Sequence, residues 1–252
     1  MEINGRNALV TGGAARVGAA ISRTLAAHGA NVFVHYNRSS GAAEELKADL
    51  EGLGGRIAIG SHDLSDPTTA RDLVEQATEA LGPISILVNS ASGFPADNIS
   101  DITVDQWHDT SNLTLGSPLF LSQAFADLLP SDMSGAIVNL TDVKTISPYR
   151  EHLSYMLAKG GVDTLTRATA LSLAPRIRVN ALALGVVLPP PGEGEEYVNA
   201  LAAKLPLAHA GGPQVVADAV VFLATNDFIT GEIVRLDGGG HLGQRQEENN
   251  DA

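Results

Sequence analysis

Seven short runs of apolar, β-favouring residues punctuate the chain: NALV (7–10), NVFVHY (31–36), RIAIGSHD (56–63), SILVN (85–89), AIVNLT (136–141), IRVNALAL (177–184) and IVRLD (233–237). Their apolar residues are nearly continuous rather than alternating. That pattern predicts strands covered on both faces, as in a parallel sheet. Between them the apolar period lengthens to that of a helix, in VGAAISRTLAAHG (17–29), AAEELKADLEGLG (42–54) and TARDLVEQATEALG (69–82), each closing on glycine. Strand alternating with helix predicts one α/β domain over 1–252, doubly wound, with a mainly parallel seven-stranded sheet and right-handed crossovers. Two segments break the rhythm. Residues 185–207 turn from proline- and glycine-rich to acidic and helix-like, which predicts a substrate lid, and 243–252 form a polar tail expected to fray.

Composition narrows the function classes. A chain of 252 residues, 44% hydrophobic, can bury one sizeable core. It has no cysteine, which excludes disulfides, thiolate metal sites and a cysteine nucleophile, and no metal site is predicted. A net charge of −13 repels phosphate backbones, so nucleic acid is not expected as a partner. The opening residues MEINGRNALVTGG lack the basic and apolar regions of a signal peptide. No apolar run approaches the roughly 20 residues that cross a bilayer. A soluble, cytoplasmic protein is expected, with no membrane partner.

TGGAARVG (11–18) follows the first strand and opens the first helix. Gly12, Val17 and Gly18 there predict a tight turn that brings a pyrophosphate to a helix N-terminus. No Gly-Lys-Ser/Thr follows, so the turn is not a Walker loop. The second strand ends in HYNRSS (35–40), where an NAD site carries an acid and an arginine suits a 2′-phosphate. Arg38 stands there between Tyr36-Asn37 and Ser39, and Arg16 lies in the glycine turn. Two arginines converging on one spot in an acidic chain predict NADP(H) as cofactor. Asp63 and Leu64, after the third strand, fall at the adenine edge, and Asn89, Ser90 and Ala91, after the fourth, put small residues under the cofactor.

NLTDVKTISPYREHLSYMLAKGG (139–161) places Tyr155 and Lys159 one helical turn apart, on one face. A neighbouring ammonium favours phenolate and is expected to lower the tyrosine pKa, and the lysine can also hold a ribose. Taken with the glycine turn, HYNRS, NSAS (89–92) and DGGG (237–240), the chain resembles the short-chain dehydrogenase/reductase family from residue 5 to about 242. The resemblance implies a Rossmann-type domain, a homotetramer, and hydride transfer between NAD(P) and a carbonyl or imine. It implies Tyr155 as proton donor, Lys159 as its partner, and Gly185 beside the cofactor in the Leu184-Gly185 pair that replaces the usual Pro-Gly. Asp142 takes the place of the family's usual serine. Within the family that aspartate marks pteridine and dihydromonapterin reductases, as do Arg16 in its turn, HYNRS and NSASGF. By the same resemblance Ser92 lies near nicotinamide and pterin, Phe94 stacks on the pterin, and Asp142 pairs with its amino-pyrimidinone edge and relays protons. The family's asparagine has no clear counterpart, since Thr114 falls in its register and Asn112 lies two residues early.

The sequence is compatible with three functions: an NADPH-dependent pteridine reductase acting on dihydropterin or dihydrofolate-like rings, a carbonyl reductase of ketoacyl or sugar substrates, and a non-catalytic NADP-binding regulator.

Overall fold

Each run predicted as a strand is one in the structure, a computed structural model that describes residues 2–190 and 192–245. The strands are β1 (Asn7–Val10), β2 (Asn31–Tyr36), β3 (Ile57–Ser61), β4 (Ile86–Asn89), β5 (Gly135–Asp142), β6 (Ile177–Leu184) and β7 (Ile233–Leu236). They form a single sheet in the order β3-β2-β1-β4-β5-β6-β7, and every pairing is parallel. The sheet is therefore wholly rather than mainly parallel. Strand order reverses between β1 and β4, which opens a crevice at their carboxyl ends, the usual ligand position in such sheets.

Alternate side chains along the strands feed two cores. Ala8, Val10, Val32, Val34 and Val88 face α1 (Arg16–Ala27), α2 (Ser40–Leu50) and α8 (Gly212–Thr225). Leu9, Phe33, Leu87 and Ile137 face α3 (Ala70–Leu81) and α5 (Ser117–Leu128). Burial on both faces is the physical reason the strands read as unbroken apolar runs. Before α5, α4 (Val104–Ser111) starts on a Thr103/Gln106 capping box and runs into a π-helical turn, Asn112–Gly116. Helix α6 (Leu153–Leu173) carries Tyr155 and Lys159, and the segment after β6 contains α7 (Glu195–Ala202). The polar tail beyond Arg245 lies outside the described residues. Among the described residues no helix is long and apolar enough to cross a membrane.

Candidate active site

Thr11 joins the first two walls of the cleft. Its buried hydroxyl accepts the Ser90 and Ala91 N–H groups at 2.9 and 3.0 Å, tying the turn after β1 to the small residues after β4. Gly12 has φ +61°, and a Cβ there would stand 3.2 Å from Ala91 Cα; a Cβ on Gly18 would stand 2.1 Å from the Gly12 carbonyl oxygen. Glycine at both positions lets turn, strand and helix approach this closely. Ala15 offers α1 no side-chain cap, and the first turn holds no acid. Free N–H groups and the positive end of the helix dipole therefore face the turn, which fits a pyrophosphate. Gly185 is fixed by packing, since a Cβ there would stand 2.8 Å from Asp237 Cα. Leu64 is 1% exposed and its side chain belongs to the core, so only its backbone is free to meet an adenine.

Sequence reasoning missed His35. Its carbonyl accepts from Gly13 N–H at 2.9 Å and its Nδ1 accepts from Gly12 N–H at 3.1 Å. Nε2 must then carry the proton and donate it to the His62 carbonyl at 3.0 Å. The ring thus clamps the glycine turn to the segment before Asp63, and it does so only while neutral. Burial lowers its pKa from 6.5 to about 4; the hydrogen bond to the His62 carbonyl opposes that shift, the His62 charge adds to it, and Asp63 opposes it. Because the folded pKa is depressed, the stabilisation is complete above pH 6.5 and is lost as pH falls toward 4. The full loss is about 3 kcal/mol. His35→Asn, which keeps an acceptor near Nδ1 without titrating, should flatten the stability curve over that window. Denaturant unfolding at several pH values checks this, and parallel curves for the two proteins would count against it.

The two arginines have different neighbours. Arg16 has φ +52°, the left-handed region that non-glycine residues enter at a cost, and its guanidinium donates to the Pro189 carbonyl at 2.6 Å. It is thus turned toward the segment after β6. Arg38 stays on the β2 side, where its charge helps depress the Asp63 pKa after the larger effect of Asp63's bonds to Ser65. Asn37 Nδ2 also donates to Asp63, at 3.2 Å. Ser39 follows Arg38 as the N-cap of α2. Arg38→Ala should weaken NADPH binding roughly ten- to a hundredfold, the scale of one charge-assisted contact, and leave NADH binding nearly unchanged. Fluorescence titration of both nucleotides decides it, and equal wild-type affinity for the two would reject the role.

At the other end of the cleft, β5 ends on Asp142. Its Oδ2 accepts from the Tyr155 hydroxyl at 3.0 Å and its Oδ1 from Lys144 N–H at 2.7 Å. Burial raises the Asp142 pKa, against the pull of Lys144 N–H, Tyr155 and Lys159. Tyr155 is also raised, by burial first and then by the Asp142 charge. The expected lowering by Lys159 is therefore overturned: the carboxylate touches the phenol, whereas Lys159 Nζ points at the Leu140 carbonyl, 2.7 Å away, and lies 5.6 Å from the tyrosine ring centroid. Lys159 is 4% exposed, and burial lowers its pKa to about 8 although Asp142 and Asp163 oppose this. Leu140 is its one hydrogen-bond acceptor among the described residues, which leaves N–H groups for a ribose hydroxyl.

The neighbouring walls are aromatic and polar. Phe94 meets Tyr155 edge-to-face at 4.8 Å and stacks on His152 at 3.7 Å, with Tyr149 at 6.2 Å. His152 and Tyr149 carried no sequence signal. Thr114, buried in the π-helical turn, has its hydroxyl 3.4 Å from Ser92 Oγ. Thr114 thus reaches the Ser92 side of the cleft. Asn89 Nδ2 donates to Asn139 at 2.8 Å, joining β4 to β5, while its Oδ1 is buried without a hydrogen-bond partner among the described residues.

The chain as a whole is similar to known proteins. The family described as Enoyl-(Acyl carrier protein) reductase matches residues 12–241. The L-rhamnose 1-dehydrogenase (NAD(P)(+)) of Sphingomonas sp. is 31% identical over 251 residues, covering 95% of this chain and 98% of its own. The chain belongs to the short-chain dehydrogenase/reductase family. As a member it is an oxidoreductase. Two further likenesses pull in different directions. A putative ketoacyl reductase of granaticin polyketide synthesis from Streptomyces violaceoruber is 30% identical, covering 93% of this chain and 96% of its own. The crystal structure of FolM alternative dihydrofolate reductase 1 from Brucella canis, complexed with NADP, is 35% identical with a TM-score of 0.92, covering 100% of this chain and 99% of that one.

Proposed function

We propose that this short-chain reductase uses NADPH to reduce a dihydropterin or dihydrofolate-like ring. The observation that carries the reading is the buried carboxylate of Asp142, hydrogen-bonded to Tyr155 where the family usually has a serine. A carboxylate has about four lone-pair positions. Lys144 N–H and Tyr155 use two, so room remains for the N–H edge of an amino-pyrimidinone. A ketone oxygen needs a donor and gains nothing from an ionised carboxylate. The likeness to the NADP-bound Brucella dihydrofolate reductase supports both cofactor and substrate class.

NADPH supplies the hydride, and the chain supplies everything else. Arg38 and Ser39 take the 2′-phosphate, the Gly12–Gly18 turn the pyrophosphate, Asp63 and the Leu64 backbone the adenine edge. Asn89, Ser90, Ala91 and Gly185 border the nicotinamide, and Lys159 holds its ribose. Tyr155, whose raised pKa keeps it protonated, gives its proton to the ring nitrogen as the adjacent carbon gains hydride. Asp142, when protonated, returns a proton to Tyr155 and is itself refilled from solvent. Phe94, backed by the stacked His152 ring, gives the substrate a flat aromatic wall. The segment 185–207, with Pro189 held by Arg16, acts as the lid. Four copies assemble, and Phe228, 98% exposed, with the DGGGHL strand end, supplies interface; light scattering at micromolar concentration reads the assembly.

The second reading, a sugar or ketoacyl oxidoreductase, is favoured by the names of the curated relatives. NADPH oxidation with 7,8-dihydrobiopterin, dihydrofolate and an acetoacetyl thioester, beside NADP+ reduction with L-rhamnose, separates the two. Fastest turnover with a reduced pterin or folate is expected, and preference for thioester or sugar rejects the pterin assignment.

A further inference from the structure

Helix α6 carries both Tyr155 and Lys159 yet begins without a cap of its own. His152 stands at its N-cap in left-handed backbone, φ 65°, and its side chain caps nothing. A helix start this deeply placed leaves N–H groups that need partners. They are met from a distance of 57 residues in sequence. Asp97, 2% exposed, lies in the loop after β4 that also bears Ser92 and Phe94. Its Oδ1 accepts from Ser154 N–H at 3.0 Å, its Oδ2 accepts from the Ser154 hydroxyl, and its backbone carbonyl accepts from Leu153 N–H at 3.2 Å. Two residues earlier, His152 Nδ1 donates to the Pro95 carbonyl at 2.7 Å. Residues 95–97 and 152–154 are thus stitched into one seam, with Phe94 at one end and Tyr155 at the other.

We propose that Asp97 is a positioning residue for proton transfer: it caps α6 from outside the helix and sets Tyr155 against Asp142 and the Phe94 wall. Two observations make this more than a stabilising cap. Both carboxylate oxygens are spent on Ser154, the residue next to Tyr155, so a shift of Asp97 moves the phenol directly. The same seam fixes Phe94, whose ring meets Tyr155 edge-to-face at 4.8 Å. The substrate wall and the proton donor therefore move as one body. The NADPH side is built from other residues and should not respond. The inference rests on Tyr155 as proton donor and is independent of which substrate the enzyme takes.

The test compares Asp97→Ala, Asp97→Asn and Ser154→Ala, each on whichever compound of the four-substrate set wild type turns over fastest. A failure of the pterin assignment thus appears in the wild type alone and leaves the comparison intact. Asp97→Ala should lower kcat per folded site at least tenfold and shift the pH profile of kcat, with NADPH affinity by fluorescence within about threefold of wild type. Asp97→Asn keeps an acceptor for Ser154 N–H and should recover most of the loss. Ser154→Ala removes only the hydroxyl link and should lower kcat several-fold. A role confined to stability would lower the unfolding midpoint while leaving kcat per folded site and its pH profile as in wild type. That result overturns the proposal. Should Asp97→Ala fail to fold, Ser154→Ala decides alone, and wild-type kcat in that variant overturns it.

Discussion

Tyr155→Phe should lower turnover by about two to four orders of magnitude, the range for deleting a positioned general acid, while NADPH affinity stays within about twofold. The ring is buried and held edge-to-face by Phe94, so phenylalanine keeps the packing and loses one hydroxyl. That hydroxyl is the group bonded to Asp142 Oδ2 at 3.0 Å, and its raised pKa keeps the proton available across the working range. Asp142 keeps its bond from Lys144 N–H in the variant, so the site should not collapse. Lys159→Ala is expected to differ in kind. It removes a buried cation that offers hydrogen bonds to a ribose, and should damage cofactor binding and turnover together. Steady-state rates beside nucleotide titrations separate the two patterns. A Tyr155→Phe protein that turns over at the wild-type rate would show that the proton comes from elsewhere.

The sheet was legible because its physics is local: parallel strands buried on both faces must be nearly all apolar, and seven such runs stood out. The glycine turn and the Tyr155–Lys159 pair were legible for the same reason, each being a short spacing with one geometric meaning. What the sequence hid was long-range. Arg16 donates to a carbonyl 173 residues away, a contact no local pattern announces. His35 sits in NVFVHY like any strand residue, and nothing local says that its ring faces Gly12. The Asp97–Ser154 seam joins a loop to a helix 57 residues later. The π-helical turn that holds Thr114 carried no signal in the sequence. The Tyr155 pKa was misjudged because helical spacing reveals Lys159, whereas the dominant neighbour, Asp142, comes from a strand.

Asp142→Ser should cost two orders of magnitude or more in pterin turnover, about the effect of one general acid, because three properties vanish together. The serine has no charge to pair with an amino-pyrimidinone edge, no proton to return to Tyr155 in mildly acid solution, and a shorter reach to the Tyr155 hydroxyl. The pH dependence follows from the sign of the shift. Burial raises the Asp142 pKa, so its protonated form persists further toward neutrality than that of an exposed aspartate. Turnover limited by proton return should therefore rise as pH falls through that raised pKa. Asp142→Asn keeps size and shape without the titration, so its profile should lack this rise even where some activity remains. Asp142→Ser should also gain weak activity on simple ketones, since a hydroxyl donor then faces the carbonyl oxygen. The gain and the loss together are diagnostic. An enzyme impaired only by disturbed packing would lose both substrates alike, whereas a change of chemistry should trade one for the other. If Asp142→Ser reduces dihydropterins as fast as wild type, the carboxylate is idle and the role proposed for it is wrong.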